Sequence, residues 1–281
     1  VEVIAVALAV AMGFRTYFIQ PFKIPTGSMQ PTLYGITVQP QVGKQWHDHF
    51  PLNLVSMVLW GDRYREVRAQ TSGRVDSYVE MSDENIMLRV GGQRHVIPRD
   101  MPLAITPGQS QVVRGQLLAS GRVRLGDHIF VNKVRYNFTR PERGDIFVFS
   151  TKEIKYPRIR PDAFYIKRLA GMPGETIQID PPYLVANGQR VTEPYPFKRL
   201  VEETSAGYHG YQLPRHDAST PTVLGTPSTT YRLPDDAYLP LGDNTGFSLD
   251  GRYFGGVKQD DVVGPAFAVY WPISPRWGLV K

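Results

Sequence analysis

The sequence predicts a mostly β protein built from short antiparallel strands. Three observations predict it. Runs of about four to eight residues rich in Val, Ile, Tyr and Phe recur along the chain. Gly and Pro, 26 and 24 residues, separate those runs. Gly91-Gly92 and Asn187-Gly188 each stand between two alternating runs, where a two-residue hairpin needs positive φ. At 281 residues, 42% of them hydrophobic, the chain is long enough for one or two cores and too apolar to be disordered.

The elements follow in order. Val3 to Ile19 is almost wholly apolar and shows no polar face through residue 14. A bilayer-spanning helix needs about 20 such residues. Residues 1–20 are therefore expected to be an uncleaved transmembrane segment, truncated at its start. A cleaved leader would need small residues after the apolar core, but Arg15 and then FIQPFKIP follow. Pro21, Pro25 and Pro31 forbid a continuing helix. Residues 34–125 form an inserted, β-rich region of unknown role. Its first part, TVQPQVGKQWHDHFPLNLVSMVLW, has no clear period and receives no assignment. The strands from Arg63 onward include two SGRV segments, expected to pair as edges of a small barrel. From Gly126 the chain is strand-like: HIFVNKVRY, DIFVFS, FYIKRLAG, TIQID and YLVANGQRV. Residues 198–230 read as an elaborated loop before the final strands. Residues 21–33 and 126–281 are thus expected to form one catalytic domain.

Composition removes several function classes. The formal charge is +6, but Lys and Arg are scattered, so no nucleic-acid partner is expected, only a weak pull towards anionic lipid. The absence of cysteine excludes a thiol nucleophile, a disulfide and Cys-ligated zinc. There is no G-x-S-x-G elbow and no Walker A loop. His47 and His49 have metal-pair spacing but no third ligand. The Asp- and Asn-rich stretch GDNTGFSLDGR, residues 242–252, lacks the terminal Glu of a calcium loop. No metal or cofactor is expected.

Two residues invite chemistry. Ser28 lies in KIPTGSMQPTL, beside flexible Gly27 and a second hydroxyl at Thr26. A serine is a poor nucleophile without an adjacent base. Lys167, in FYIKRLAG, shares a strand face with Tyr165 and Leu169. Burial on that face would lower its pKa and let it accept a proton near neutrality. Taken singly, a turn serine and a snorkelling edge lysine explain both better.

Five segments in order resemble type I signal peptidases: SMQPTL (28–33), LGDHIFVNK (125–133), RGDIFVF (143–149), YIKRLAGMPGE (165–175) and GDNTGFSLDGR (242–252). The resemblance implies an antiparallel-sheet catalytic domain behind a membrane helix, with Ser28 as nucleophile and Lys167 as general base. It implies an oxyanion hole from the Ser28 amide and Thr26 hydroxyl, with Ser248 orienting the lysine. Arg168, Asp250 and Arg252 match a structural ion-pair cluster. Phe22, Ile24, Pro25, Met29, Leu33, Tyr165 and Ile166 match substrate pockets. Implied partners are secretory preproteins with small residues before the cleaved bond, and the lipid bilayer. The implied place is the outer side of the cytoplasmic membrane, with Pro21, Phe22, Trp271 and Trp277 as candidates for a membrane-dipping rim. Thr245, Gly251 and Leu241 depart from the usual residues without removing a catalytic atom. Two alternatives remain: a self-cleaving Ser/Lys repressor-type protease, and an anchored β-domain binding protein with a dead site.

Overall fold

Alternation decides the sheets. In HIFVN, Ile129 and Val131 are buried while His128, Phe130 and Asn132 stay half exposed, the period-two pattern of a strand with one face on a core. The computed structural model describes residues 2–80, 85–105, 111–203, 209–214 and 220–280. In chain order the strands are β1 (Ile19–Lys23), β2 (Thr37–Pro40), β3 (Asp62–Arg68), β4 (Val75–Glu80), β5 (Asn85–Val90) and β6 (Gln93–Pro98). Next come β7 (Leu117–Arg124), β8 (His128–Asn132), β9 (Ile146–Ser150), β10 (Phe164–Gly171), β11 (Thr176–Asp180) and β12 (Tyr183–Ala186). The last are β13 (Gln189–Arg190), β14 (Thr230–Arg232), β15 (Ala237–Leu241), β16 (Val257–Lys258), β17 (Val262–Trp271) and β18 (Gly278–Leu279). The helices are α1 (Glu2–Tyr17), α2 (Leu52–Trp60), α3 (Arg135–Phe138), α4 (Tyr195–Glu202) and α5 (Gly251–Phe254).

The main sheet runs β1-β8-β17-β9-β10-β15-β16, with β18 also on β17. A second sheet is β13-β12-β11-β14, a third β2-β7-β3 and a fourth β4-β5-β6. Strand β9 shows why the main sheet is central. Its Ile146 and Val148 join one core with Ile24, Met29 and Leu33, and its Phe147 and Phe149 join another with Leu169 and Tyr238. A strand buried on both faces must be apolar at successive positions, as IFVF is. Residues 69–123 supply a separate core, including Ile86, Leu88, Val90 and Leu118. The two expected hairpin turns form, with φ of 52° and 81° at Gly91 and Gly92 and of 50° and 79° at Asn187 and Gly188.

Three expectations are corrected. The two SGRV segments do not pair: β4 pairs with β5, while β7 lies between β2 and β3. Gly121 permits this, because a Cβ there would come within 2.8 Å of Val38 on β2. The stretch read as loop begins inside α4, whose Phe197 and Leu200 fill the core beneath β11 and β12. The expected membrane-spanning helix is also not found. Among the described residues no helix is long and apolar enough to cross a membrane. Helix α1 has 16 described residues. It stops because β1 begins two residues later, paired with β8.

The loop from Ile24 to Tyr34 is tied to the main sheet by Gly126 and Asp127. A Cβ on Gly126 would lie 1.9 Å from Ile24 O, so only glycine allows this approach. Ile24 N donates to Asp127 O and Asp127 N to Tyr34 O, both at 2.8 Å. The Asp127 carboxylate, fully buried, accepts from Tyr34 N at 2.8 Å and from Arg276 Nε and Nη2 at 2.7 and 2.9 Å. Arg276→Met would leave that buried carboxylate with the Tyr34 amide alone. We expect it to cost about 3–5 kcal/mol in urea unfolding; a loss below about 1 kcal/mol, the value of an exposed pair, would refute the staple.

Candidate active site

Ser28 lies in a 3₁₀ turn, Gly27–Met29, and is only 7% exposed. Strand β10 carries Lys167, opposite Phe147 on β9. The fold brings Lys167 Nζ to 2.8 Å from Ser28 Oγ, across 139 positions of sequence. Nζ also donates to Ile166 O at 3.0 Å. An ammonium donates to the serine hydroxyl at this distance; a neutral amine accepts from it.

The turn is held by residues 242–244. Asn244 N donates to Ser28 O and Asn244 Nδ2 to Gly27 O, each at 3.0 Å. A Cβ on Gly242 would meet Ser248 Oγ at 2.2 Å and Ser28 O at 2.6 Å, so this position too admits only glycine. The Asp243 carboxylate accepts from Thr32 Oγ1 at 2.5 Å and from Arg168 Nε and Nη2 at 2.8 and 2.6 Å. Gly126-Asp127 and Gly242-Asp243 therefore work alike. In each, glycine permits backbone contact with the serine loop, and aspartate binds that loop while pairing with an arginine.

Arg168 and Asp243 are essentially buried, as are Arg252 and Asp250. Arg252 Nε lies 2.8 Å and Nη2 2.9 Å from the two Asp250 carboxylate oxygens. Arg252 also donates to Gln212 O, Thr245 O and Ser248 O. The expected cluster is thus two bidentate pairs, Arg168–Asp243 and Arg252–Asp250, and Asp243 is the member that sequence reading left out of the site. Each pair is internally neutral, so burial decides the lysine. Burial lowers the Lys167 pKa from 10.5 to about 8; Asp250 and Asp243 oppose the shift and Arg252 adds to it.

The other expected residues divide. Thr26 precedes the turn, half buried, and its side chain makes no capping bond to it. Ser248 is buried at the site, but its Oγ has no hydrogen-bond partner, so the expected bond to Lys167 is not made; Ser28 Oγ and Ile166 O take the Nζ instead. Ile24, Met29 and Leu33 are at most 2% exposed and close the core under the serine turn. Phe22, Pro25, Tyr165 and Ile166 stay partly open. Asn244 and Thr32 complete the frame, and so does Arg199 of α4, whose Nη2 donates to Thr32 Oγ1 at 2.6 Å. The GDN tripeptide signalled Asn244; nothing in the sequence signalled Arg199. Among the described residues no group of three or more His, Cys, Asp or Glu could hold a metal.

Fold and site define an antiparallel β protein with a buried serine–lysine contact. The family profile described as signal peptidase, peptidase S26, matches residues 119–271. The chain is 34% identical over 139 residues to signal peptidase I V of Bacillus subtilis, covering 50% of this chain and 72% of that protein. It is 30% identical over 161 residues to the probable signal peptidase I-2 of a Synechocystis species, covering 56% of this chain and 61% of that one. A signal peptidase I structure from Enterococcus faecalis shares 29% identity over 45% of this chain and 97% of its own, at a TM-score of 0.32, too low to bear on the fold. The chain belongs to the signal peptidase, peptidase S26, family. The match begins after residue 118, so it contains Lys167 but not Ser28.

The lysine predicts a pH-dependent stability. Its folded pKa, about 8, lies below the 10.5 of a free lysine. The unfolded chain therefore binds more protons between those values, and stability rises with pH across that window. The cost of burying the charge is present in full below pH 8 and gone above 10.5. Lys167→Met should stabilise the chain at pH 7 by on the order of 3 kcal/mol, with the advantage fading by pH 10.5. Urea unfolding of both proteins at the two pH values checks it; an advantage independent of pH would contradict the burial argument.

Proposed function

We propose that this chain is a serine endopeptidase that removes signal peptides from secretory preproteins, with Ser28 as nucleophile and Lys167 as general base. The observation that carries the reading is the 2.8 Å approach of Lys167 Nζ to Ser28 Oγ, with a lysine pKa lowered to about 8 by burial. Neutral Lys167 takes the Ser28 proton as Oγ attacks the scissile carbonyl. The ammonium so formed protonates the departing amine. The same amine then activates water to release the acyl group. The oxyanion is held by the Ser28 amide, at the start of a turn where amides lack intrahelical acceptors, and by the Thr26 hydroxyl. Half-open Phe22, Pro25, Tyr165 and Ile166 line the substrate's approach, over a floor of Ile24, Met29 and Leu33. Ser248 Oγ, buried without a partner, stands ready to bond the lysine once the proton has moved.

In this reading α1 attaches the enzyme to the cytoplasmic membrane and the sheets lie on its outer side. Supporting it, Val3, Ile4, Val6, Leu8, Val10 and Met12 are all more than half exposed, an arrangement disfavoured in water and favoured in lipid. Residues 21–33 and 126–281 form the catalytic domain, and 34–125 an inserted one.

Cleavage of a preprotein by the detergent-solubilised chain tests the dyad. Ser28→Ala and Lys167→Ala should each cut kcat/KM by on the order of 10⁴-fold or more, and the double variant by little more, because the two residues act as one unit. The rate should rise with pH through an apparent pKa of about 8, as the base form of Lys167 appears. Near-normal turnover in Lys167→Ala would rule out the base.

Thr26 has its own test. Thr26→Val keeps the branched shape and removes the donor, and should lower kcat by about 10²–10³-fold with KM little changed. Thr26→Ser should be nearly silent. Because Thr26 makes no capping bond, thermal melting should be the same in all three proteins. An unchanged kcat in Thr26→Val would remove Thr26 from the oxyanion site.

A further inference from the structure

Helix α2 lies within residues 34–125, outside the part of the chain that the family profile matches. Its sequence, LNLVSMVLW, has no charged residue, and none of its nine residues is buried. Leu52, Leu54, Val55, Met57, Val58 and Trp60 are each 39–55% exposed. A helix that docks on a protein buries its apolar stripe; α2 leaves its apolar residues open and confines its polar ones to Asn53 and Ser56, three apart on one side, as a helix lying in a membrane interface does. At nine residues it is about 14 Å long, too short to span a bilayer and suited to lying within its interface.

The helix is nevertheless held in place. Gly61, at φ 66°, caps it, and its N–H donates to Met57 O. Trp271 Nε1 donates to Val58 O at 2.6 Å, and Ile273 N to Leu59 O at 2.8 Å. The main sheet thus fixes an exposed apolar helix by its last carbonyls. Three of the chain's four tryptophans, Trp60, Trp271 and Trp277, lie at this end of β17. Trp60 ends α2 and Trp271 is bonded to it. Trp46 lies in the turn packed on α2, and Trp277 Nε1 donates to Tyr270 O. Trp46, Trp60 and Trp277 are 76%, 46% and 60% exposed, and Phe50 is 82% exposed. Tryptophans so placed are the residues that sit at headgroup level.

The same face leads to α1. Phe130 stacks on Tyr270 at 4.2 Å, and His128 meets Trp271 at 4.7 Å. Trp271 pairs with His128 at one end of β8, while Phe18 O accepts from Lys133 N just beyond the other. The two attachment points are therefore about 17 Å apart along the strand, joined by an aromatic stripe.

We propose that α2 is a second membrane-docking element, seated in the interfacial layer of an anionic bilayer while α1 holds the first point. This rests on the membrane reading of α1 and adds to it. Two contacts fix the orientation of the main sheet on the lipid, where α1 alone would leave it free to swing. The net charge of +6 favours anionic lipid over zwitterionic.

The chain has no cysteine, so a single Val55→Cys in the whole 281-residue chain accepts an environment-sensitive fluorophore at one place. A Val6→Cys protein, labelled in the same way, reports on α1. With phosphatidylglycerol-containing vesicles, the position-55 label should shift to the blue, lose quenching by iodide, and be quenched more by shallow than by deep nitroxide lipids. This is the signature of a helix about 5–10 Å into the boundary. If the position-6 label enters lipid and the position-55 label stays open to iodide, α2 does not dock and the anchoring reading stands. If neither enters, both readings fail. Protection of position 55 without vesicles, growing with protein concentration, would assign the helix to a second copy of the chain and overturn the proposal.

Discussion

The contact between Lys167 and Ser28 holds only because the loop carrying the serine is pinned at both ends against the sheet carrying the lysine. A hydroxyl and an amine 139 positions apart have no local reason to meet. Gly126 and Gly242 let the backbone of that loop lie against the sheet without a Cβ between them. Asp127 and Asp243 then take hydrogen-bond donors from Tyr34 and Thr32 at its far end. Asn244 fixes the serine turn directly. The loop can stay tight because each clamp carries its own charge compensation, from Arg276 and Arg168.

That compensation also sets the electrostatics. Buried ion pairs are poor contributors to net stability, since desolvation offsets most of their attraction. Here their value is in neutrality. Two bidentate pairs frame the lysine while adding little net charge beside it. Its proton affinity is then governed by burial, which draws the pKa to about 8. An unpaired aspartate at the same place would favour the charged lysine and oppose that shift.

Residues 69–123 carry their own core, including Ile86, Leu88 and Leu118, and α2, ahead of them in the chain, is bonded to the end of β17. That helix and α1 share a property rare on a water-facing surface, namely a run of exposed apolar side chains. The half-exposed aromatic face of β8 and β17 lies between them.

Some of this was legible in the amino acids. Alternation in HIFVN and TIQID announces half-buried strands, and Gly91-Gly92 and Asn187-Gly188 announce hairpins, because side-chain period and positive φ are local properties. The five boxes marked the site for the same reason: glycine, aspartate and asparagine in tight contact with backbone leave a fixed pattern. The tertiary structure alone decided who meets whom. Arg168 pairs with Asp243 rather than Asp250, Ser248 is left unbonded, and Arg199 reaches Thr32 from a stretch that reads as loop. Ile24, Met29 and Leu33 become floor rather than open lining. Helix α2 gave no periodic signal because its apolar residues stay half exposed around the helix instead of facing a single core. The lysine's chemistry belongs to the same class: desolvation is a property of what surrounds a group, and strands distant in sequence supply those surroundings.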